Sequence, residues 1–400
     1  MAKRILEFFP HQLAARKGGA YTYLYNLKQE IKDSEEVKIV FLSDIVDLQK
    51  SNSVHNPPSA LKNIFKKFIP EKVLNNRKVL KYLDNSRKII DKNIEAIELN
   101  DFNVVHFHEA IDILRYEHLL KNFRGKILFT PHSSIPYHME LLAEVFGLKK
   151  SGISATVCKK LEEIDQKAFE TVQQLVLPCS EALEGYFSNW PIIEILIKNK
   201  PVHYLLTGCP PALPLKTKEE VLEHYQIPKD SFIVSFTGRH SPIKGFDLLE
   251  KAAEIILKDH NDIYFLVAGN KTGIEQFQHQ NWIETGWTND PASLINASDV
   301  NISANRETYF DLNILEAMSM AKPIILTETG GNRFLKQKIN TSGLLFIETE
   351  NVDNLVQKIK YCYQQKEKLT ALGSQNRLAF EQNFTPGLFY KRYIELYKNI

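Results

Sequence analysis

Short runs of apolar residues alternate along this chain with longer stretches in which apolar residues recur every three or four positions. Such alternation is typical of repeated strand–helix units, which build parallel sheets with helices on both faces. Because the strands of a parallel sheet are buried on both faces, they should be continuously apolar, and most of these runs are. The strands predicted in the first half are residues 5–9, 37–42, 104–107, 127–130 and 175–177, and those in the second half are residues 232–237, 263–268, 300–303, 324–327 and 344–347.

A proline-containing stretch separates two sets of these units. Residues 207–214 read Thr-Gly-Cys-Pro-Pro-Ala-Leu-Pro, which cannot extend a helix and is stiff enough for a hinge. With 400 residues and a hydrophobic content of 44%, the chain can build two substantial cores. Two α/β domains joined by this linker are therefore predicted, followed by a tyrosine-rich helix after Pro386.

Composition and charge narrow the functional classes. The formal net charge of +2 argues against a dedicated nucleic-acid binder. The four cysteines are scattered, without the spacing of a metal site or a disulfide framework. The chain opens directly on a strand-like run, too short and mixed for a signal peptide, and no apolar run approaches the roughly 20 residues that span a bilayer. A cytoplasmic protein is expected.

One segment departs from the even charge balance. Residues 62–92 contain ten Lys or Arg against three acidic residues, and Leu61, Phe65, Phe68 and Ile69 recur at helical spacing. This pattern could dock peripherally on the inner face of a cell membrane. It could equally be a solvated helical insertion, near residues 60–95, whose apolar face covers the first domain.

The first motif comprises residues 236–245, Phe-Thr-Gly-Arg-His-Ser-Pro-Ile-Lys-Gly. A buried strand is predicted to end at Gly238, and the loop that follows carries two fixed cations, Arg239 and Lys244. A guanidinium binds phosphate through two parallel hydrogen bonds, whereas an ammonium acts as a compact charge. A solvated loop that merely carries two charges is the alternative.

The second motif comprises residues 307–318, Glu-Thr-Tyr-Phe-Asp-Leu-Asn-Ile-Leu-Glu-Ala-Met, and reads as a polar turn entering a helix. The first backbone N–H groups of that helix, around Leu312 and Asn313, could face phosphates. The carboxylate of Glu316, one turn further on, could accept both hydroxyls of a ribose. Together the two motifs indicate a site for a nucleotide diphosphate sugar.

Both motifs resemble those of the family 4 glycosyltransferases, retaining enzymes with the GT-B architecture of two facing Rossmann-like domains. In that family a Gly-Arg pair and a Lys-Gly pair bind the diphosphate, and here these are Gly238-Arg239 and Lys244-Gly245. The resemblance implies an acceptor-binding domain over residues 1–207, a nucleotide-sugar domain over residues 208–384, and a last helix, residues 385–400, that packs on the first domain.

The second motif matches the family less closely. Alignment on Phe310 and Leu312 makes Glu316 the second glutamate of the family signature and puts Thr308 at the first, with Glu307 one position early. Either Glu307 or Thr308 could bind the transferred sugar, or Thr308 could only cap the helix. Asp311 replaces the usual glycine, and we expect it to bind sugar hydroxyls or to cap the helix. The substitution suggests an uncommon donor sugar.

Four further residues match the family. Gly19, in a Gly-Gly pair before a predicted helix, corresponds to the glycine loop of the first domain, which makes it a candidate nucleotide-sugar-binding residue, although an ordinary turn is an alternative reading. His132, predicted to follow a strand, corresponds to a histidine beside the donor sugar or the acceptor, but could be structural. Gly286 and Trp287 follow a strand-like run at residues 282–285, where the family holds the nucleobase; Trp287 could stack or simply pack.

The other histidines at strand ends, His106 and His108, should share one face of their strand, and a structural role is the more natural reading of His106. No carboxylate–histidine spacing and no Asp-x-Asp motif indicates a metal. The resemblance accordingly implies a metal-independent enzyme without cofactor. His132, Arg239 and Lys244 are its candidate catalytic residues.

The resemblance implies a retaining glycosyltransferase that moves a sugar from a nucleotide diphosphate sugar, most often a UDP-sugar, to an acceptor hydroxyl. The acceptor would be a glycan, lipid-linked or protein-linked, in the assembly of a polysaccharide or glycoprotein glycan. A non-catalytic GT-B-like subunit that binds a glycan or protein partner is the alternative, supported only by the displaced glutamate and by Asp311.

Overall fold

The computed structural model describes residues 2–15, 18–32, 35–48, 69–88, 91–270 and 277–400. The chain divides into two compact units. The N-terminal unit comprises Met1–Leu177, Gly185–Tyr204 and Tyr393–Ile400, and the C-terminal unit comprises Pro178–Glu184 and Leu205–Arg392. The chain thus enters the main segment of the C-terminal unit at Leu205, just before the predicted linker.

The N-terminal unit is built on a parallel sheet with the strand order β2-β1-β3-β4-β5-β6. Five of these strands follow the predicted apolar runs. The sixth, β6, was not predicted, because it is a three-residue edge strand that is only partly buried and has no apolar run of its own. The strands are β1 (Lys3–Phe8), β2 (Val37–Phe41), β3 (Val104–Phe107), β4 (Lys126–Phe129), β5 (Gln174–Leu177) and β6 (Val202–Tyr204).

The C-terminal unit contains a second parallel sheet, with the order β12-β11-β10-β7-β8-β9. Counted from β7, this is the order of a dinucleotide-binding Rossmann sheet. The two sheets confirm the predicted parallel α/β class. The strands are β7 (Phe232–Thr237), β8 (Ile263–Ala268), β9 (Trp282–Gly286), β10 (Val300–Ser303), β11 (Ile324–Thr327) and β12 (Leu344–Ile347).

Helices connect the strands, as parallel pairing requires. The α-helices are α1 (Gly19–Glu30), α2 (Leu42–Ile45), α3 (Glu71–Lys88), α4 (Lys92–Glu95), α5 (Ala110–Arg115), α6 (Glu117–Leu120), α7 (Tyr137–Glu140), α8 (Ala155–Thr171), α9 (Glu184–Asn189), α10 (Ile193–Ile197), α11 (Lys218–His224), α12 (Phe246–Leu257), α13 (Pro291–Ala297), α14 (Leu312–Ser319), α15 (Gly330–Lys338), α16 (Val352–Gln364), α17 (Lys366–Asn383) and α18 (Pro386–Asn399). Shorter turns of 3₁₀ helix include Ser180–Leu183 and Pro242–Lys244, and Leu141–Val145 is a π-helix.

Strand β7 shows why these runs are continuously apolar. Its residues alternate between two hydrophobic clusters: Phe232, Val234 and Phe236 pack on one face of the sheet, and Ile233 packs on the other. Every residue of the strand is buried. A strand covered by helices on both faces has no solvent side, so the alternation of apolar and polar residues disappears.

The strand orders place a topological switch point in each sheet. In the N-terminal sheet it lies between β1 and β3, and in the C-terminal sheet between β7 and β10. At such a point the connections leave in opposite directions and open a crevice outside the carboxyl ends of the strands, where α/β proteins bind ligands.

The basic segment is only partly covered by the structure. Three residues of the predicted apolar stripe, Leu61, Phe65 and Phe68, lie outside the described residues, whereas Ile69 is described and Glu71–Lys88 forms α3. Among the described residues, no helix is both long enough and apolar enough to span a bilayer. Peripheral membrane docking of this segment stays a prediction.

Candidate functional site

Both predicted motifs follow the strands that flank the switch point of the C-terminal sheet. The first motif leaves the carboxyl end of β7, and the second follows the end of β10. Hydrogen bonds join the first motif to the second motif and to the residue that precedes it. The side-chain amide of Asn313 donates to the carbonyl oxygen of Thr237 at 3.1 Å, and the backbone N–H of Arg306 donates to the carbonyl of Ile243 at 2.8 Å.

The loop after β7 passes very close to the segment after β10. At Gly245 the backbone turns into the left-handed region with φ 64°, and a Cβ atom there would lie 1.9 Å from the carbonyl oxygen of Ala304. Only glycine fits both constraints. The glycine of the Lys-Gly pair therefore sets the course of the loop, which leaves Arg239 exposed and Lys244 partly buried.

A salt bridge joins the two motifs at their charged groups. The Nζ of Lys244 lies 2.6 Å from Oδ2 of Asp311, and both side chains are largely buried, with exposed fractions of 21% and 16%. Asn305 donates to the same carboxylate oxygen at 2.6 Å and to the hydroxyl of Thr308 at 2.7 Å. Asp311, which stands where the resembling family has glycine, thus neutralises Lys244, one of the two predicted phosphate ligands.

These contacts decide between readings that the sequence leaves open. Helix α14 begins at Leu312, and Asp311 occupies the N-cap position, so the reading in which Thr308 caps the helix is wrong. Asp311 therefore occupies the capping position that was one of its two expected roles, but its side chain makes no capping hydrogen bond. Thr308 is buried and bonded to Asn305, whereas Glu307 and Glu316 are half-buried.

Glu316 lies near Cys209 within the C-terminal unit. Its carboxylate, together with burial, raises the pKa of the Cys209 thiol well above its ordinary value, with burial the larger cause. Cys209 packs in the same apolar cluster as Leu315 and Ala317, the neighbours of Glu316 in α14. The Glu316 carboxylate therefore lies at the border of this hydrophobic cluster, and the packing of α14 holds it in position.

Arg306 is a residue that the sequence reasoning missed. Its guanidinium binds both carboxylate oxygens of Asp247, at 2.6 and 2.9 Å, and contacts Glu350 and the carbonyl oxygen of Pro242. The bonds to Arg306 lower the pKa of the Asp247 carboxyl. Arg306 therefore braces the Pro242–Lys244 turn that carries Lys244. The only signal in the sequence is an arginine between a buried strand and the second motif.

The predicted nucleobase position lies on the same edge of the sheet. The carbonyl of Gly286 accepts a hydrogen bond from the N–H of Gly269 at 3.0 Å, and a Cβ atom at Gly269 would lie 1.8 Å from the carbonyl oxygen of Gly238. The ends of β7, β8 and β9 therefore approach each other through glycines. Trp287 is 63% exposed, so the reading in which it simply packs in the core is wrong.

The two candidates of the N-terminal unit lie together beyond the carboxyl ends of its strands, Gly19 after β1 and His132 after β4. Gly19 begins α1, and a Cβ atom there would be 3.8 Å from the carbonyl oxygen of His132. His132 follows β4 and has a left-handed backbone with φ 51°, a conformation that few non-glycine residues adopt outside functional or constrained sites. Burial and the neighbouring His108 hold the pKa of His132 well below its ordinary value.

A buried acid that the sequence reasoning also missed lies beside these histidines. Glu7, next to the carboxyl end of β1, is fully buried, and its Oε2 is 2.7 Å from Nε2 of His108. Burial raises the pKa of Glu7 and lowers that of His106. His106 is satisfied on both ring nitrogens, by Tyr397 at 2.7 Å and Thr130 at 2.8 Å, which agrees with the structural reading of that histidine.

Two groups of described residues bring three potential metal ligands within 4.8 Å of one another. In the group of Glu7, His106 and His108, every ring nitrogen and both carboxylate oxygens already accept or donate a hydrogen bond within the protein. This group does not fit a metal without breaking those bonds. In the group of His11, Glu109 and Asp112, the buried Oδ2 of Asp112 has no hydrogen-bond partner among the described residues, so a cation would find one ligand atom available.

The comparison with protein families gives a match in the C-terminal unit: residues 231–365 match the glycosyl transferases group 1. The O-antigen biosynthesis glycosyltransferase WclY of Escherichia coli is 23% identical over 188 residues, which are 44% of this chain and 50% of that protein. The chain thus spans about half the length of the first curated relatives it matches.

Solved structures extend the likeness to the whole chain. Sucrose-phosphate synthase from Thermosynechococcus elongatus has a TM-score of 0.66 at 15% identity and covers 100% of this chain and 99% of its own. Anabaena HepE, solved in complex with UDP and glucose, has a TM-score of 0.60 at 12% identity, with 100% of both chains covered. The resemblance carried by the two motifs is confirmed: this chain has the GT-B fold of the glycosyltransferases, and its residues 231–365 match the glycosyl transferases group 1.

Proposed function

We propose that this protein is a retaining glycosyltransferase of the family 4 type. It would transfer a sugar from a nucleotide diphosphate sugar, with UDP the first candidate, to the hydroxyl of a glycan, lipid-linked or protein-linked acceptor. The observation that carries the proposal is the pairing of the two motifs at the switch point of the C-terminal sheet. There, two cations and the start of α14 follow the carboxyl ends of adjacent strands.

In this proposal the C-terminal unit holds the donor. Arg239 and Lys244 bind the diphosphate with the N–H groups of Leu312 and Asn313, while Glu316 accepts the ribose hydroxyls. Gly238 lets the diphosphate approach the backbone. Gly286 and Trp287 bind the base, and the exposed indole of Trp287 suits stacking on it.

Three acidic or hydroxyl groups remain for the transferred sugar. Glu307, Thr308 and Asp311 would contact its hydroxyls. Because Thr308 and Asp311 both accept hydrogen bonds from Asn305, a sugar hydroxyl would join an existing polar network. The N-terminal unit binds the acceptor near Gly19 and His132.

The chemistry would occur on one face of the donor sugar. The bond between the anomeric carbon and the phosphate oxygen breaks, a bond to the acceptor oxygen forms, and the proton of the acceptor hydroxyl passes to the leaving phosphate. The protein would contribute positioning and stabilisation of the charge on the leaving diphosphate by Arg239 and Lys244. No protein nucleophile, cofactor or metal is required by this route.

The second candidate function is a GT-B-like subunit that binds a glycan or protein partner without catalysis. Two observations favour it: Asp311 already neutralises Lys244, and a buried threonine replaces the first glutamate of the family signature. The first function requires a nucleotide diphosphate to bind the C-terminal unit, whereas the second does not.

Calorimetric titration with UDP, GDP and ADP, without added metal, separates the two. We expect one nucleotide to bind with a micromolar dissociation constant, and Arg239→Ala to weaken that binding about tenfold or more, since a charge-assisted bond contributes roughly 1.5–3 kcal/mol. Lys258→Ala, which removes an exposed cation at the C-terminal end of α12, is the matched control. Absence of binding by the wild-type protein to all three nucleotides would favour the non-catalytic subunit.

Retention is tested separately with the donor whose nucleotide binds. The anomeric configuration of the sugar released by slow hydrolysis can be followed by proton NMR from the first minutes. The configuration of the donor should be kept. Appearance of the opposite anomer first would contradict the retaining mechanism.

A further inference from the structure

A continuous chain of hydrogen bonds runs through the buried end of the N-terminal sheet, from His132 to a backbone carbonyl of β5. It passes through His108, Glu7 and Tyr397 to His106. The last members are Thr130 and the carbonyl of Val176. Glu7, His106, His108 and Tyr397 are fully buried, so no solvent interrupts the chain.

The direction of the chain is fixed at its inner end. The hydroxyl of Thr130 donates to the carbonyl oxygen of Val176 at 2.9 Å, because a carbonyl can only accept. The Thr130 oxygen must therefore accept its second bond, at 2.8 Å, from Nε2–H of His106. His106 is then protonated on Nε2, and its Nδ1 faces the phenol of Tyr397 at 2.7 Å.

Two distributions of protons satisfy the rest of the chain. In the first, Glu7 is neutral and donates from Oε1 to Tyr397, which donates in turn to Nδ1 of His106. In the second, Glu7 is ionised and accepts from Tyr397, while His106 is an imidazolium. In both distributions Oε2 of Glu7 is an acceptor, so the bond of 2.7 Å to His108 must come from Nε2–H of His108.

The opposite arrangement fails on electrostatic grounds. If Glu7 donated from Oε2 to His108, its Oε1 would accept from Tyr397, and His106 would have to donate from both nitrogens. That places an imidazolium beside a neutral acid in a fully buried site, without a counter-ion, which is costly. The orientation of His108 is therefore the same whether Glu7 is charged or neutral.

The orientation of His108 in turn decides the state of His132. With Nε2 of His108 protonated, its Nδ1 is an acceptor, and the bond of 2.9 Å between the two rings must come from Nε2–H of His132. The neutral imidazole of His132 then carries its lone pair on Nδ1. The ring of Tyr23 packs edge-on against His132 with 4.6 Å between centroids and limits its rotation.

We propose that Glu7, acting through His108, is a positioning residue that fixes His132 in the tautomer whose Nδ1 accepts a hydrogen bond. His132 would then recognise a hydroxyl group of a sugar or other polyol and not a phosphate oxygen, which requires a donor. The choice of ligand class rests on the proposed function, whereas the tautomer rests on the hydrogen-bond chain alone. The Glu7 carboxylate also contacts Tyr397, so it connects His132 to helix α18.

The tautomer is measured directly on the full-length protein. With ¹⁵N-labelled histidine, long-range proton–nitrogen correlation spectra distinguish the protonated from the unprotonated ring nitrogen, and His132→Asn identifies the signals of His132. We expect Nε2 of His132 to carry the proton in the wild-type protein. A proton on Nδ1, or an even mixture of tautomers, would overturn the inference without any variant.

Three variants test the role of Glu7. Glu7→Gln should keep the tautomer, because its amide oxygen accepts from His108 and its NH₂ group donates to Tyr397. Glu7→Met removes the acceptor and should convert the single His132 tautomer into a mixture. Tyr393→Phe is the matched control, because it removes a buried hydroxyl that donates to Tyr23 and leaves every bond of the hydrogen-bond chain in place, so the tautomer should persist. If His132 keeps a single, unchanged tautomer in Glu7→Met, the proposed role of Glu7 is contradicted. If Glu7→Met does not fold, a changed His132 tautomer in Glu7→Gln contradicts that role instead.

Titration of the same samples with UDP separates this inference from the proposed function. If UDP binds but His132 carries its proton on Nδ1, the inference about Glu7 is contradicted and the proposed function is not. The right tautomer without binding of any nucleotide contradicts the proposed donor site and leaves the role of Glu7 standing.

Discussion

Replacement of Asp311 by asparagine should strengthen nucleotide binding. Asp311 stands where the family has glycine, and its carboxylate lies 2.6 Å from the ammonium of Lys244. A diphosphate bound by Lys244 would meet this carboxylate as a second anion on the same cation. Asparagine keeps the size of the side chain and an oxygen that can accept from Asn305, but removes the charge.

The size of the effect follows from the geometry. A phosphate oxygen lies about 2.8 Å from an ammonium that binds it, so the two anions on Lys244 would be about 5 Å apart. Two unit charges at that distance repel by about 3 kcal/mol at an effective dielectric constant near 20. Both side chains retain some exposure, 21% for Lys244 and 16% for Asp311, so we expect about 1–2 kcal/mol. The dissociation constant of UDP should fall roughly five- to thirty-fold.

Calorimetry of wild-type protein, Asp311→Asn and a control measures this directly. Glu254→Gln on α12 is the control, because it removes the same charge from an exposed pair with Lys258. The gain should shrink between about 0.05 and 0.5 M salt, since salt screens the repulsion. Equal or weaker binding by Asp311→Asn at both salt concentrations would refute the reasoning and show that the carboxylate assists the donor site, for example by orienting Lys244.

Two further predictions concern the support of the C-terminal unit. Arg306→Lys should weaken UDP binding about tenfold, because a lysine cannot replace both bonds to Asp247 and the bond to the Pro242 carbonyl. Calorimetry measures the dissociation constant of UDP for this variant. An unchanged value would show that the Pro242–Lys244 turn does not need Arg306. Burial lowers the pKa of Lys322 from 10.5 to about 8, so between pH 8 and about 10 the unfolded chain holds a proton that the folded protein lacks. The free energy of unfolding should therefore rise with pH in this window, by up to about 2 kcal/mol, as the burial cost of the charge is relieved. Urea unfolding at pH 7.5 and 9.5 measures the rise, and Lys322→Met should lose it; an equal rise in both proteins would assign it to other groups.

The architecture was predictable because it depends on local patterns. The apolar runs that became strands are long enough to bury both faces, and their alternation with helical stretches allows little besides parallel sheets. Strand β6 (Val202–Tyr204) was not predicted, because a short, half-exposed edge strand needs no continuous apolar run. The two motifs were likewise readable, since each comprises neighbouring residues at a strand end or a helix start.

The partners of the charged residues were not predictable. Lys244 and Asp311 are 67 positions apart, Arg306 and Asp247 are 59 apart, and Glu7 and Tyr397 are 390 apart. A charge inside the apolar run of β1 signals that Glu7 needs a partner, but the sequence does not say which. Periodicity reports which face of an element is buried and carries no information about the residue that meets it.

The sequence by itself therefore determined the class of fold, the strands at whose ends ligands bind, and the two motifs that indicate a nucleotide sugar. These features follow from burial and from short-range spacing, which are properties of contiguous residues. Tertiary structure alone decided that Asp311 neutralises Lys244, that Arg306 braces the loop, and that Glu7 orients the histidines. Such contacts arise when parallel strands bring their carboxyl ends to one edge and join residues that are distant in the chain.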